Sequence, residues 1–567
     1  MRRPPAMASD LRRRMRSVRL AGGDRMRSLI LLGLAACAGA ALSEPALEIS
    51  AEAIRRHVFV LGADELEGRG VGAPGADKAA GYIAGELKRY GLQPLGPGAS
   101  FLQPVPLHGS RPDPSNELFL VTPCGSGPLR LVGDYLLELG GSGTLLPQPV
   151  PVVFAGYGIV APEFDHDDYR GIEVSGKVVA VLTGEPASRD PDYFDGARPT
   201  VYSTVEAKRR LALSRGARGT LLLPSFQEPA WKDWEYWVRQ YLEETISLAY
   251  SVPRHLAVRL GPMAARRLFC GSELDLAGIH RLEARQQLRS FALESQVWYR
   301  GSFLERDFVS SNVAAVLRGA DLELRDTWVL VSAHLDHLGI GPAEDGDAIY
   351  NGVIDNAIGV AGALEVARVL AKREKPPRRS IAFLFTTGEE EGLLGATHYV
   401  EHPLAPISRT VANVNVDGLA HLDAFSDVIG IGAELSSLGE TLARVAGRRG
   451  LRVSAPPAVL ADSEAFARSD QAAFAEAGIP AILVNEGFAG GRFPPQTALA
   501  RFLEWGRTRY HRPSDDLRQP LDFAASRSHA ALLADLVWEL SEQAEAPRWR
   551  VDGPYAAAQA RARAEKR

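Results

Sequence analysis

Acidic and imidazole side chains follow one apolar run after another in the second half of the chain. In an open α/β sheet, sites form at the carboxyl ends of the strands, so these side chains are candidates for one shared site. They are His334 and Asp336 after 328–333, Asp355 and Asn356 before a predicted helix, Glu389 and Glu390 after 381–385, Asp417 after 411–416, and the late His511. Taken singly, each has an ordinary explanation, since an aspartate at a helix start is usually an N-cap. Together they supply two imidazoles and several carboxylates.

This donor set suits zinc, which binds imidazole nitrogen and carboxylate oxygen. Two zinc ions held about 3.5–4 Å apart usually share a carboxylate and a water or hydroxide, so a bridging aspartate is expected. The adjacent pair Glu389 and Glu390 fits the same chemistry, because a turn points neighbouring side chains in different directions. One of the two can then bind a metal while the other accepts a proton. The residues therefore predict a two-metal site with its own general base.

The elements that must position these side chains alternate between strand and helix from Asn312 onward. Candidate strands are the apolar runs 328–333, 381–385, 411–416 and 481–484. The helix predicted after Asp355 has one apolar stripe, formed by Val360, Ala363, Leu364, Ala367 and Leu370. This pattern predicts an α/β fold of three layers, in which a mixed, mainly parallel sheet carries helices on both faces.

A stretch in the first half breaks this rhythm and is rich in turn residues. Between about Pro104 and Trp298, short apolar runs such as 150–154 and 220–223 alternate with Gly and Pro, which indicates an inserted, largely β module. A chain of 567 residues is too long for one ordinary core, which agrees with a second domain. The expected segments are an N-terminal extension with signal peptide at 1–44, the first part of the catalytic domain at 45–105, the insertion at 106–300, the main catalytic domain at 301–545, and a frayed or disordered tail at 546–567.

The N-terminal segment predicts export. Arg25 and Arg27 precede the apolar run 29–34, and small residues follow, as in a secretory signal peptide. The motif LAAC at 34–37 resembles a bacterial lipobox, so lipidation of Cys37 and ordinary cleavage nearby are both open. The protein is accordingly expected in the periplasm, outside the cell, or tethered to a membrane as a lipoprotein.

Charge and cysteine content narrow the chemistry further. The chain has 64 Lys and Arg against 69 Asp and Glu, a near balance that gives no indication of a nucleic-acid partner. Once the signal is removed, only Cys124 and Cys270 remain. Export makes a disulfide between them chemically permissible, and a buried free thiol is the alternative. Their spacing is not that of a structural zinc site.

Six motifs resemble, in their order along the chain, family twenty-eight of the metallopeptidases, which comprises di-zinc aminopeptidases and their carboxypeptidase relatives. The motifs are NVAAVL at 312–317, AHLDH at 333–337, NGVIDNA at 351–357, TGEEEGLLG at 387–395, NVD at 415–417 and YH at 510–511. The resemblance covers most of the mature chain. It implies that His334 and Asp417 bind one zinc, that Glu390 and His511 bind the other, and that Asp355 bridges the two ions.

The same resemblance implies roles for three further side chains. Glu389 would be the general base, taking a proton from the bridging water as that water attacks the peptide carbonyl and passing it to the leaving amine. Tyr510 would donate a hydrogen bond to the carbonyl oxygen. Asp336 would hold a metal ligand in place. The predicted function is an exported exopeptidase with two zinc ions as cofactors and a peptide as substrate.

The insertion also has a counterpart in that family. The sequences FAGYGIV at 154–160 and GKVVAVL at 176–182 resemble the protease-associated (PA) domain of larger members. This resemblance implies a lid over the substrate cleft, with a mere packing role as the alternative.

Alternative functions remain open at this point. An aminopeptidase is expected ahead of a carboxypeptidase. A carboxypeptidase would need a cluster of Arg or Lys side chains in the substrate pocket, and the sequence alone does not place Arg468, Arg492 or Arg512 there. A glutaminyl-cyclase-like transferase would share the fold but use one zinc, which the intact His334 and Asp417 disfavour. A metal-free binding or receptor protein should lack one or more ligands, and all five are present.

A further group of polar residues is given no chemical role by the motifs. The histidines are expected to be surface or packing residues, and the aspartates to belong to a turn. They are His337, His398, His402 and His421, with Asp515 and Asp516.

Overall fold

The protein is described here by a computed structural model, which covers residues 48–190, 192–196, 200–229, 232–241, 244–457, 459–460 and 466–564. The predicted signal peptide and Cys37 therefore lie outside the described residues. No helix within these ranges is both long enough and apolar enough to span a membrane.

The larger of two main sheets in the described ranges has ten strands. Its central strand, Trp328–His334, pairs in parallel with Ser380–Thr386 on one side and Thr410–Asn415 on the other, whereas most pairings nearer the edges are antiparallel. From edge to edge the strands are Thr245–Leu248, Leu102–Pro112, Phe303–Leu317, Ser380–Thr386, Trp328–His334, Thr410–Asn415, Ala481–Glu486, Asp427–Ile431 and Arg452–Val453, with Gln93–Pro94 added beside Phe303–Leu317.

Successive side chains along these strands point to opposite faces of the sheet and pack into two hydrophobic layers. In Ser380–Thr386, the residues Ile381, Phe383 and Phe385 pack into one layer, and Ala382 and Leu384 pack into the other. The first layer is covered by Ala51–Leu61, Pro74–Arg89, Ile358–Ala371, Leu438–Arg448 and Phe523–Glu542, and the second by Leu394–Glu401 and Gln471–Glu476. The three-layer α/β fold predicted from the sequence is thus confirmed.

The helix Ile358–Ala371 is buried more completely than its predicted stripe requires. The stripe residues are buried against the sheet, but Ile358, Ala361 and Val366 on other sides of the helix are buried too. The reason is that the helices Ala51–Leu61 and Phe523–Glu542 both pack against it. Burial on all sides fixes the start of this helix, where Asp355 lies.

The second sheet is built from residues 117–300 and has eight strands among the described residues. It has its own apolar core, which includes Val152, Val178, Leu221 and Val258. In spatial order its strands are Gly125–Leu129, Glu117–Thr122, Phe291–Arg300, Leu146–Phe154, Val178–Leu182, Gly219–Leu223, Leu256–Leu260 and Tyr135–Leu139. Its helices are Val205–Ser214, Trp234–Arg239, Pro262–Leu268 and Leu276–Glu283. One strand from this stretch, Thr245–Leu248, leaves it and pairs with Leu102–Pro112 at the edge of the larger sheet.

The remaining parts of the chain complete the two sheets. Two small hairpins pair Gly339–Glu344 with Asp347–Tyr350 and Val160–Ala161 with His166–Asp167, and Pro495–Thr508 is a surface helix. Cys124 and Cys270 are joined by a disulfide, one of the two states that the sequence left open. The segment after residue 545 packs instead of fraying: Trp549 is 4% exposed, and the helix Ala556–Ala564 follows it.

Candidate metal and catalytic site

The predicted site residues lie where three neighbouring parallel strands end. His334 is the last residue of Trp328–His334, Glu389 follows Ser380–Thr386 through a turn, and Asp417 comes two residues after Thr410–Asn415. Because these strands run in the same direction, their carboxyl ends meet at one edge of the sheet. The other two ligand candidates come from connections: Asp355 from the one-turn segment Val353–Ala357 and His511 from the loop after Pro495–Thr508.

The carboxylate of Asp355 lies between two histidines. Its Oδ1 is 3.2 Å from Nε2 of His334, and its Oδ2 is 3.3 Å from Nε2 of His511. His334 Nε2 is also 3.2 Å from Oδ1 of Asp417, and His511 Nε2 is 3.1 Å from Oε2 of Glu390. The structure thus brings the five predicted ligands together as two groups of three that share Asp355.

These separations fit a pair of tetrahedral zinc ions. Ligand atoms about 2.0–2.1 Å from a tetrahedral zinc lie about 3.3 Å from one another, and the four separations around Asp355 are 3.1 to 3.3 Å. Ligand atoms of His334, Asp355 and Asp417 all lie within 4.8 Å of each other. His511 Nε2 is buried and has no hydrogen-bond partner, as expected for an atom directed at a metal position.

Without metal ions, protons supply the positive charge that this cluster needs. Burial opposes the charged form of His334, but Glu389 and other carboxylates raise its pKa well above the ordinary value. Burial also opposes charge on His511, yet Glu390 and Asp355 raise its pKa to about 10. Burial would raise the pKa of Asp355, but the neighbouring imidazoles of His334 and His511 hold it well below the ordinary value. Two positive groups thus flank one carboxylate.

Glu389 has a different environment from the ligand candidates. It is 8% exposed, and burial raises its pKa well above the ordinary value, with His334 opposing this shift and Asp417 adding to it. Its carboxylate lies within 4.8 Å of ligand atoms of His334 and Glu390. A carboxyl group in this setting takes up a proton readily, which suits a general base that later acts as an acid.

Asp336 acts on the turn that contains the glutamates. Its two carboxylate oxygens accept hydrogen bonds from the backbone N–H groups of Glu389 at 3.2 Å and Glu390 at 3.4 Å. Its backbone oxygen lies 3.2 Å from Nδ1 of His334. Burial raises the pKa of Asp336 to about 6. Asp336 therefore connects the end of Trp328–His334 to the turn after Ser380–Thr386.

Tyr510 packs directly on a ligand candidate. Its ring stacks on that of His511 with 4.0 Å between centroids, and burial raises its pKa well above the ordinary value, so the phenol keeps its proton and can donate a hydrogen bond. A nitrogen of the Arg468 guanidinium lies 3.4 Å from the Tyr510 oxygen, and another lies 3.4 Å from the oxygen of Tyr236 in the second sheet region.

Two residues that the sequence left without a role contact the candidate ligands. His337, expected to be a surface or packing residue, is buried, and its Nδ1 is 2.6 Å from Oε1 of Glu390. Asp515, expected in a turn, is also fully buried and accepts hydrogen bonds from the N–H groups of Ile354 and Asp355. The only signal in the sequence is proximity, since each lies three or four residues after a predicted ligand.

Arg69 is a third contributor that the sequence did not indicate. It is 1% exposed, and its guanidinium donates to the carbonyl oxygens of Leu61, Leu335, Asn351 and Gly352. These carbonyls flank the segments that carry His334 and Asp355. A buried guanidinium that satisfies four backbone acceptors holds these segments in place.

Comparison with known proteins identifies a family for part of the chain. Residues 312–537 match the profile of Peptidase family M28, the family that the sequence motifs resemble. A vacuolar membrane protease of Aspergillus fumigatus strain CBS 144.89 is 31% identical to this chain over 132 residues. That match spans 21% of this chain and only 13% of the fungal protein.

A solved structure extends the likeness to both sheets. The aminopeptidase from Aneurinibacillus sp. strain AM-1 superposes with a TM-score of 0.52 at 18% sequence identity, over 89% of this chain and 97% of that one. At this level of identity the match establishes a common fold.

The charge balance of the site predicts how the metal-free protein responds to pH. Because the pKa of His511 rises from 6.5 to about 10 on folding, its contribution to stability is fully present below pH 6.5 and is lost as the pH rises toward 10. Zinc ions would replace these protons. We therefore expect the melting temperature in EDTA to fall between pH 6.5 and 10, and to fall much less with zinc. Parallel melting curves in EDTA and zinc would contradict this account.

Proposed function

We propose that the chain is a zinc-dependent exopeptidase, and specifically an aminopeptidase that releases N-terminal residues from peptides. The observation that carries this proposal is Asp355 shared between two three-residue groups, each with separations of 3.1 to 3.3 Å. Such an arrangement is the signature of a two-metal hydrolytic site. The buried Glu389 beside it supplies a base.

The proposed reaction divides the work among three residues. When bound, the two zinc ions would polarise the peptide carbonyl and lower the pKa of water. Glu389 takes a proton from the attacking water and delivers it to the amine of the leaving peptide. The hydroxyl of Tyr510 donates a hydrogen bond to the carbonyl oxygen as negative charge develops there. Asp336 keeps Glu389 in place through the backbone contact at 3.2 Å.

The surplus of acidic groups favours a substrate with a free ammonium group. Six carboxyl groups surround the site, and only three of them, those of Asp355, Glu390 and Asp417, are candidate metal ligands. Among the ligand candidates, Asp417 has the most exposed side chain, at 24%, so the acidic cluster is open to a substrate on its side. The six are Asp336, Asp355, Glu389, Glu390, Asp417 and Asp470, and Asp470 is buried beside Thr386.

The arginines considered for a carboxypeptidase do not form a cluster. Arg492 pairs with Asp423 at 2.9 Å, and Arg512 pairs with Glu344 at 2.9 Å. Only Arg468 of the three contacts a predicted catalytic residue, through Tyr510. A single guanidinium beside an acidic cluster gives less support to recognition of a substrate carboxylate than to recognition of an ammonium group.

Replacement of the proposed base tests the mechanism. Glu389→Gln keeps the size and polarity of the side chain but cannot accept the proton, so we expect kcat to fall by at least about 100-fold while zinc content is unchanged. Metal analysis and turnover of an amino-acid amide measure the two effects. The exposed Glu440→Gln serves as the matched control and should keep full activity. Substantial turnover by Glu389→Gln would remove Glu389 as the base.

Blocking the substrate amine tests the exopeptidase assignment. We expect hydrolysis of peptides with free N-termini and little or none of the same peptides after N-acetylation, because acetylation removes the ammonium charge that the acidic groups would recognise. Mass spectrometry of timed digests identifies the released residue. Release of C-terminal residues from N-acetylated peptides would establish the carboxypeptidase alternative instead.

We also propose that the inserted region at 106–300 is a PA-like lid over the substrate path. A cavity of about 750 Å³ lies between this region and the turn that carries Glu390 and Glu391. Its walls include Trp237 and Arg259 from the insertion, with the guanidinium 3.6 Å from the ring centroid. Because Glu390 belongs to both this cavity and the proposed metal centre, a peptide chain could extend from one into the other.

A tryptophan substitution tests this lid. Trp237→Ala removes a wall of the cavity, so we expect KM for peptides of several residues to rise by about tenfold, with little change for single amino-acid amides. Trp298→Ala is the matched control, because Trp298 stacks on Phe119 at 4.6 Å in the second sheet and does not line the cavity. Equal effects of Trp237→Ala on long and short substrates would argue for a packing role alone.

The proposed cellular location is outside the cytoplasm. The predicted signal segment and the disulfide between Cys124 and Cys270 both suit an oxidising compartment. Cell fractionation that recovers the chain only from the cytosol would contradict this location.

A further inference from the structure

His337 contacts one of the proposed metal ligands in an unusual way. Glu390 lies between two imidazoles: its Oε1 is 2.6 Å from Nδ1 of His337, and its Oε2 is 3.1 Å from Nε2 of His511. The side chain of His337 is 0% exposed. His337 ends the motif at 333–337, but neither the family resemblance nor the proposed function gives it a role.

The two distances identify two different kinds of contact. A tetrahedral zinc bound by a nitrogen and an oxygen would hold them about 3.3 Å apart, which matches His511 and Glu390. The separation of 2.6 Å between His337 and Glu390 is too short to enclose an ion and is that of a strong hydrogen bond to a carboxylate. His337 therefore contacts Glu390 directly. Ligand atoms of His337, Asp355 and Glu390 lie within 4.8 Å of one another, but the short contact leaves no room for an ion between His337 and Glu390.

The direction of this hydrogen bond follows from the acceptor. A glutamate that serves as a metal ligand is a carboxylate, and a carboxylate can only accept a hydrogen bond. The proton in the contact thus belongs to Nδ1 of His337, which donates it to Oε1.

The ring of His337 is held in place on several sides. Its backbone N–H donates to the carbonyl oxygen of Arg69 at 3.3 Å, and its ring meets that of His511 edge to face, with centroids 5.6 Å apart. At Gly352, where φ is +57°, a Cβ would collide with the His337 ring, so the absence of a side chain there makes room for the imidazole. A ring fixed in this way can orient its hydrogen-bond partner.

We propose that His337 is a positioning residue that occupies Oε1 of Glu390 and so presents Oε2 alone to a metal ion. This role rests on the proposed metal centre. A carboxylate that binds through one oxygen leaves a coordination position free, and a catalytic zinc site needs such an open position for water or substrate. His337 therefore sets both the orientation of the ligand and the number of atoms that it offers.

Two substitutions at His337 and one control test this role. His337→Leu removes the donor while keeping bulk, and His337→Asn retains an N–H group at about the place of Nδ1. His57→Leu is the matched control, because His57 is equally buried but hydrogen-bonds to Tyr82 and Tyr90, away from the ligands. Zinc affinity is measured by competition with a chromophoric chelator, and the melting temperature of each metal-free variant reports folding.

We expect His337→Leu to weaken the affinity for one of the two zinc ions by about 10- to 100-fold. His337→Asn should restore most of that affinity, and His57→Leu should bind both ions as tightly as the wild type. Wild-type affinity in a folded His337→Leu protein would overturn the proposal. A second outcome would also overturn it: His337→Asn fails to restore zinc affinity, and the cobalt-substituted variant has a changed absorption spectrum. Together these results would show that His337 binds the metal directly. If Asp355→Ala retained two zinc ions, the metal centre itself would be wrong, which is a separable failure.

Discussion

The site depends on one buried carboxylate, that of Asp355, held between two imidazoles at 3.2 and 3.3 Å. Burying several carboxylates at one sheet edge is costly, because like charges repel and each loses its hydration. Positive charge at the two flanking positions offsets this cost, whether supplied by protons on His334 and His511 or by metal ions. The need for this charge explains why the pKa of His511 is raised to about 10 despite its burial.

The surrounding backbone makes that arrangement possible. Asp515 accepts hydrogen bonds from the backbone N–H groups of Ile354 and Asp355. The side chain of Asn356 donates to the carbonyl oxygen of Val416 and accepts from the N–H of Gly418, on either side of Asp417. Through these contacts the segment before the helix Ile358–Ala371 is tied to the end of a strand. The ligand positions are therefore set by hydrogen bonds from neighbouring side chains to the backbone as much as by the strands themselves.

The second sheet adds a wall to the site without adding a ligand. Its region supplies Trp237 and Arg259 to the cavity beside Glu390, and its Tyr236 shares the guanidinium of Arg468 with Tyr510. One of its strands, Thr245–Leu248, joins the edge of the larger sheet, so the two parts of the chain are connected by backbone hydrogen bonds as well as by side chains. This connection limits how freely such a lid could move.

The sequence by itself determined the layered α/β fold and the family resemblance of its second half, because apolar runs of strand length and the motifs at their ends are local patterns. It also indicated all five ligand candidates, which the structure brings together around Asp355. Only the tertiary structure revealed the contacts of His337, Asp515 and Arg69, whose partners lie far away along the chain. Arg69 bonds to Leu335, 266 residues distant, and such pairings depend on how the layers pack, which no local pattern encodes.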